Sequence, residues 1–517
     1  MSDRAVASLR LVKPLVAMLI EARAAEHPDR VFLKMAGGVR QTWRAFHDDC
    51  LRIAHGLRDA GCRPGDRVAI MLPNCREFLP VYFGASFAGC TPVPLNTSQR
   101  GDTLRHVLTD ASPAAIVIDA GLWPFYDAVR DGLGLREIVR GTPPDGALVA
   151  LADILAGPAS PVPDPDGDAP SFGILYTSGT TGPPKGVVPT RSDIAPLLAI
   201  WQAMNVAAGE TIYTPLPLFH GNPLAISVVG AMFMDASIGI GERFSASRFW
   251  DEVREFDAVE FNHVGAVIPI LLKQPPRPGD AANPVRTVLS AGCPPDAWEP
   301  FERRFGVRIV EQFSMVDSPG YLINSDGPRG SMGKPVAACE AAIIDTAGAP
   351  ITTPGAVGEL VLRAAEGRTH SYLNQHDATE EAYRGGWFHT GDLASRDANG
   401  WFFYAGRLKE SMRRRGENVS AWEVENVVNA HPAVLESAAH AVPSPVGEDD
   451  IKVVVVLQPG ATLDPSELVA FCTPRMAAHA VPRYVEIVDE IPKTPTQRPR
   501  YADLKARGVT PQTWDRG

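Results

Sequence analysis

Tyr176-Thr-Ser-Gly-Thr-Thr-Gly-Pro-Pro-Lys-Gly186 sets two glycines and four hydroxyl side chains directly after the strand-like run Phe172 to Tyr176, and a lysine closes the loop. This is the chemistry of anion binding. Gly179 and Gly182 let backbone N–H groups approach an anion, Thr177, Ser178, Thr180 and Thr181 supply hydroxyl donors, and Lys185 adds a point charge. A Walker phosphate loop would need glycine where Pro184 stands and Ser or Thr in place of Gly186, so a P-loop NTPase is set aside.

On either side of this loop, apolar runs such as Arg67 to Leu72, Ala114 to Ile118 and Val285 to Ser290 alternate with stretches read as amphipathic helix, among them Phe78 to Ala88. The rhythm predicts a mixed α/β architecture with largely buried sheets. Gly157 to Pro170, rich in Pro, Asp and Gly, reads as a surface loop rather than a linker, because a strand-like run resumes right after it. A domain boundary is expected near Gly406. Beyond it Val419 to Ala430 reads as a helix and Lys452 to Gln458 as a strand, and about a hundred residues suffice for a small separate domain. The 517 residues carry 49 basic against 60 acidic side chains, net charge -11, which leaves no electrostatic footprint for nucleic acid. The apolar run Pro14 to Ile20 is too short to span a bilayer and reads as an amphipathic helix. Seven cysteines, none in a Cys-x-x-Cys or zinc-ligand pattern, fit reduced and mostly buried thiols in a cytoplasmic protein.

The loop at 176–186 resembles the signature loop of the adenylate-forming (ANL) superfamily of acyl-CoA synthetases, peptide-synthetase adenylation domains and luciferases. Further pieces follow in family order. Leu216-Pro-Leu-Phe-His220 resembles the segment gating the pantetheine tunnel, Ser290-Ala-Gly-Cys-Pro294 and Glu311-Gln-Phe-Ser-Met315 the adenine-binding stretches, and Thr390-Gly-Asp392 the ribose motif. Gly406-Arg-Leu-Lys-Glu410 resembles the hinge motif. Arg413-Arg-Arg-Gly-Glu-Asn-Val-Ser420 and the tail Gly508-Val-Thr-Pro-Gln-Thr-Trp-Asp515 look most like carnitine/crotonobetaine-type CoA ligases.

The resemblance implies the ANL acyl-CoA synthetase fold, with a large N-terminal domain (1–407) of layered sheets and helices and a small mobile α+β domain (408–517). It implies nucleotide binding by residues 177–182, Lys185, Gly292, Cys293, Pro294, Gln312, Phe313 and Ser314. Asp392 would hold the ribose hydroxyls in a turn, and Arg407 would contact ribose or phosphate. Lys409 would be the hinge about which the small domain swings, His220 and Gly416 would flank the CoA tunnel, and Asp317 would hold Mg2+. Substrates and cofactors follow: a small-molecule carboxylic acid or its acyl-AMP, ATP with Mg2+, and coenzyme A. A homodimer is expected, with neither a nucleic-acid partner nor a membrane span.

Two departures bear on the chemistry. Family enzymes carry a C-terminal lysine, in a Thr-x-x-Gly-Lys pattern, that reaches carboxylate and α-phosphate during adenylation; here Pro492-Lys-Thr-Pro-Thr-Gln-Arg498 puts Gln497 and Arg498 in place of the glycine and lysine. Arginine keeps the charge but presents a wider planar fork. In the adenine and magnesium motif, Val316 replaces a threonine and Asp317 a glutamate. The reading that follows is a ligase competent mainly in thioester formation from acyl-AMP, with a separate adenylating ligase as one source of that acyl-AMP. A complete two-step ligase is the alternative, with Arg498, Lys493 or Lys505 replacing the lysine; an inactive acyl- or nucleotide-binding homologue is the third. The acyl pocket is expected to draw on Phe219, Asn222, His263, Val264, Gly265, Ala291, Met315 and Gly320, and this mainly small or apolar set points to a bulky apolar acid.

Overall fold

Arg67–Met71 and Ala115–Asp119, both predicted as strands, lie side by side and parallel in a five-stranded sheet whose order continues to Arg136–Arg140 on one side and Thr91–Pro94 on the other. The computed structural model describes residues 15–144, 148–163, 172–177, 183–189, 195–265, 267–337, 339–365, 367–414, 417–444, 449–494 and 498–517. Ser178, Gly179, Thr180, Thr181, Gly182, Gly416 and Gln497 lie outside the described residues.

A second, larger sheet sets Val31–Met35, Ser237–Ile240, Thr211–Thr214, Ala258–Val264, Thr287–Ala291 and Arg308–Phe313 in parallel, each beside the next. Antiparallel strands extend it from Leu322–Asn324 to Cys339–Ile344. Strands buried on both faces read as continuous apolar runs, which is why the sequence revealed them. Phe78–Phe87 differs from its expected amphipathic character. All ten residues are buried, because the helix lies between the five-stranded sheet and helix Trp43–Asp59. Gly84 permits that approach: a Cβ there would stand 2.6 Å from Ile53 Cβ and 2.8 Å from the Cys50 carbonyl oxygen.

Residues after Leu408 build a core of their own. Met412, Val424, Val434, Ile451, Val453, Cys472 and Val485 pack together. They hang on a four-stranded sheet of Val434–Pro443, Asp449–Leu457, Tyr484–Ile487 and Trp514–Asp515. The helix predicted from Val419 begins at Ala421, since Ser420 ends a strand and caps the helix, its Oγ accepting from the Trp422 N–H at 3.2 Å. All seven cysteines are buried and unpaired. Among the described residues no helix is long and apolar enough to cross a membrane.

Candidate active site

Ala258–Val264, Thr287–Ala291 and Arg308–Phe313 are adjacent parallel strands, so their carboxyl ends emerge together. Val264 and Gly265, Ala291 and Gly292, and Phe313 and Ser314 there line one cavity of about 2640 Å³. Gly292 has φ +101°, a conformation open to glycine, and turns its N–H toward the Glu311 carboxylate. The Cys293 N–H reaches the other Glu311 oxygen at 3.3 Å. Burial raises the Glu311 carboxyl to about 7 against these donors. Cys293, Pro294, Gln312 and Met315 line the same cavity.

His263 does not join them. Successive side chains of a strand point to opposite faces, and Val264 takes the cavity side. His263 is 0% exposed, its ring 6.4 Å from that of Phe261, and burial pulls its imidazole down to about 3. Gly320 is buried against Cys339, where a Cβ would stand 2.1 Å from Sγ, and its neighbours Pro319 and Tyr321 line the cavity in its stead.

Asp392 lies in strand Phe388–Arg396 and not in the expected turn; Gly391, at φ +69°, supplies the local bend. Strand register sets Arg407 opposite, and its Nε donates to Asp392 Oδ1 at 2.9 Å. Thr390 Oγ accepts from the Asp392 N–H at 3.0 Å and donates to the Leu360 carbonyl at 2.7 Å. Burial pushes the Asp392 carboxyl up, while Arg407 and then Arg498 pull it back. The charge of Arg498 also acts on His220, Tyr404 and Glu410. Arg498, Asp392, His220, Tyr404 and Glu410 all line the same cavity.

The described ends of the 176–186 loop are pinned. Thr177 N–H donates to the Lys185 carbonyl at 2.9 Å, and Leu175–Tyr176 pairs with Gly186–Pro189. That hairpin takes a third strand, His370–Tyr372, which delivers a residue that no motif singles out. Tyr372 stands under Lys185, whose Nζ is 4.7 Å from the ring centre, and its hydroxyl donates to Asp317 Oδ2 at 2.6 Å. Asp317 is 7% exposed, with its carboxyl raised by burial.

Phe219 and His220 pack with ring centres 4.6 Å apart, and burial holds the imidazole near 4, hence neutral at pH 7. Asn222 opens the π-helical turn Asn222–Val228 and accepts from the buried Asn262 amide. Lys409 sits exposed in the turn Leu408–Glu410, its carbonyl accepting from Lys505 Nζ at 3.3 Å. Glu425, from the C-terminal part, also lines the cavity; it accepts from Tyr501 Oη at 2.7 Å and from the Ala439 N–H at 2.8 Å, and burial raises it to about 8.

The family model for AMP-binding enzymes matches residues 20–373, and that for the AMP-binding enzyme C-terminal domain matches 423–498. The chain is 32% identical over 493 residues to a sulfoacetate–CoA ligase of Cupriavidus necator, covering 93% of this chain and 95% of that one. It is 30% identical to a crotonobetaine/carnitine–CoA ligase of Salmonella typhimurium, covering 90% and 93%. An anthranilate CoA ligase solved with anthranoyl-AMP shares the fold at TM-score 0.85 and 23% identity, over 95% of this chain and 96% of that one. ATP-bound MatB of Rhodopseudomonas palustris does so at 0.83 and 25%, over 95% and 98%.

Proposed function

This chain belongs to the AMP-binding enzyme family, as an adenylate-forming (ANL) acyl-CoA ligase, and from that premise we propose that it joins a carboxylic acid to CoA in two steps of unequal speed. In the first, acid and ATP give acyl-AMP and pyrophosphate; in the second, the CoA thiol displaces AMP. The domain boundary falls at 407/408, within the gap between the two family matches, and Lys409 is the pivot between the two steps.

The observation that carries this reading is the position of Arg498, which lines the same cavity as Asp392 and His220. There it serves as the cation for carboxylate and α-phosphate. Adenylation is the slower half, because arginine presents a wider planar fork where the family has a lysine, because its charge also acts on Asp392 and Glu410, and because Val316 offers no hydroxyl. Asp317 lines the cavity together with Lys185 and would hold a magnesium ion through its carboxylate, where the ion would neutralise phosphate charge. Asp392 binds ribose, Phe313 covers adenine, and the pocket of Val264, Ala291, Met315 and Tyr321 takes a bulky, mainly apolar acyl group.

The test compares ATP, Mg2+ and acid, read as pyrophosphate release, with synthetic acyl-AMP plus CoA, read as thioester, over a panel of acids. Thioester should form faster from acyl-AMP than pyrophosphate is released. Arg498→Ala should abolish what pyrophosphate release there is, and Arg498→Lys should raise it. Release unaffected by Arg498→Ala would remove Arg498 from the reaction. The second reading, an adenylate supplied by a separate ligase, is favoured by the engagement of Asp317 with Tyr372, and it predicts no release at all.

A further inference from the structure

Helix Val267–Leu272 follows the cavity residues Val264 and Gly265, and Lys273 comes directly after its last turn. The Lys273 ammonium is half-buried and donates to the carbonyl oxygen of Val434 at 2.9 Å and to that of Leu435. Both acceptors begin strand Val434–Pro443, so one side chain ties the helix to a region with a separate core. Glu436, the next residue, pairs with Lys493 at 2.6 Å. Lys493 bridges to Pro499, the residue after Arg498, and the Arg498 carbonyl accepts from the Thr494 N–H at 2.8 Å. A continuous path of packed helix, ammonium, strand end, ion pair and backbone bridge therefore joins the acyl-pocket wall to Arg498.

We infer that Lys273 is a positioning residue for adenylation: it clamps the C-terminal region in the orientation that holds Arg498 beside Asp392, and it lets go for thioester formation. The inference rests on the reading of Arg498 given above. Its physical basis is that the ammonium exchanges water for two carbonyl acceptors only while the two regions are together. Burial correspondingly lowers Lys273 to about 8, with Glu436 opposing the shift. A lysine freed from those carbonyls regains its water and its ordinary basicity.

The test measures ATP–pyrophosphate exchange and, separately, thioester formation from synthetic acyl-AMP, in Lys273→Ala and Lys273→Arg with thermal melts alongside. Lys273→Ala should cut exchange by about ten- to hundredfold, the shift expected on losing a charge-assisted hydrogen bond, and leave thioester formation at least as fast. Lys273→Arg, which keeps the charge and the donors, should restore most of the exchange. Equal loss in both halves at an unchanged melting temperature would overturn the clamp.

A second variant reads the clamp apart from Arg498. Lys273→Cys with Leu435→Cys, bridged by a short bis-maleimide, should keep exchange and lose thioester formation. A bridged protein that still forms thioester at the unbridged rate would overturn the inference. If exchange proves indifferent to Arg498→Ala while bridging still stops thioester formation, the role of Arg498 falls and the clamp stands.

Discussion

Asp392 shows how much one carboxylate can be committed before any ligand arrives. At 2% exposure it gives one oxygen to Arg407, and two acceptor oxygens are what a ribose diol needs. Asp392→Ala should leave the fold intact and weaken binding of a non-hydrolysable acyl-AMP analogue by about 1.5 to 3 kcal/mol. Isothermal calorimetry checks this, and an unchanged affinity would remove Asp392 from the ribose site. Thr390-Gly-Asp392 could be picked out of the sequence because a family resemblance can be carried by three neighbouring residues. Tyr372 could not. It meets Asp317 only through pairing of His370–Tyr372 with Gly186–Pro189, and no local pattern encodes a contact between residues 55 apart. His263 failed in the opposite way: a histidine beside pocket residues looks functional until strand alternation turns it to the other face.

At the scale of elements, apolar runs predicted the buried strands at Arg67–Met71, Ala115–Asp119 and Thr287–Ala291 to within two residues, because burial on both faces leaves a continuous apolar signal. Strand Phe402–Arg407 carries a sharper constraint. Gly406 has φ +117°, and a Cβ there would fall 1.9 Å from Ser420 Oγ, the atom that caps helix Ala421–Asn429. Gly406→Ala should therefore cost about 1 to 3 kcal/mol through strain and damage to the cap. Gly400→Ala is the control. It shares the positive φ, +84°, but meets only Lys334 Cε at 4.0 Å, so its urea midpoint should drop less. Equal drops would show that backbone strain alone, and not the contact with Ser420, makes glycine necessary at 406.

For the molecule as a whole, four histidines set an acid limit, His263 and His440 fully buried and His220 and His370 partly so. His220, His370 and His440 are held near 4 and His263 near 3, each chiefly by burial. Their folded values lie below the ordinary imidazole value of 6.5, so their contribution is complete above pH 6.5 and is lost as pH falls toward 4. At 1.36 kcal/mol per pH unit, His220, His370 and His440 are each worth at most about 3 kcal/mol and His263 at most about 5 kcal/mol. Glu311, near 7, and Glu425, near 8, act in the other direction: raised above 4.5, they favour the folded state at low pH and lose that contribution as pH rises through 7 to 8. Urea midpoints measured from pH 4 to 9 should peak close to 6.5 and fall more steeply on the acid side; a flat profile between 4 and 6.5 would contradict the burial of these rings. The seven cysteines extend the same logic to time. Burial raises Cys75 and Cys90 to about 12 and Cys339 and Cys472 to about 11, and raises Cys50, Cys62 and Cys293 as well, so the folded chain offers a thiol reagent almost no thiolate. The enzyme thus carries seven silent clocks spread through its separate cores, and the order in which they begin to react with a colorimetric disulfide would record which region opens first.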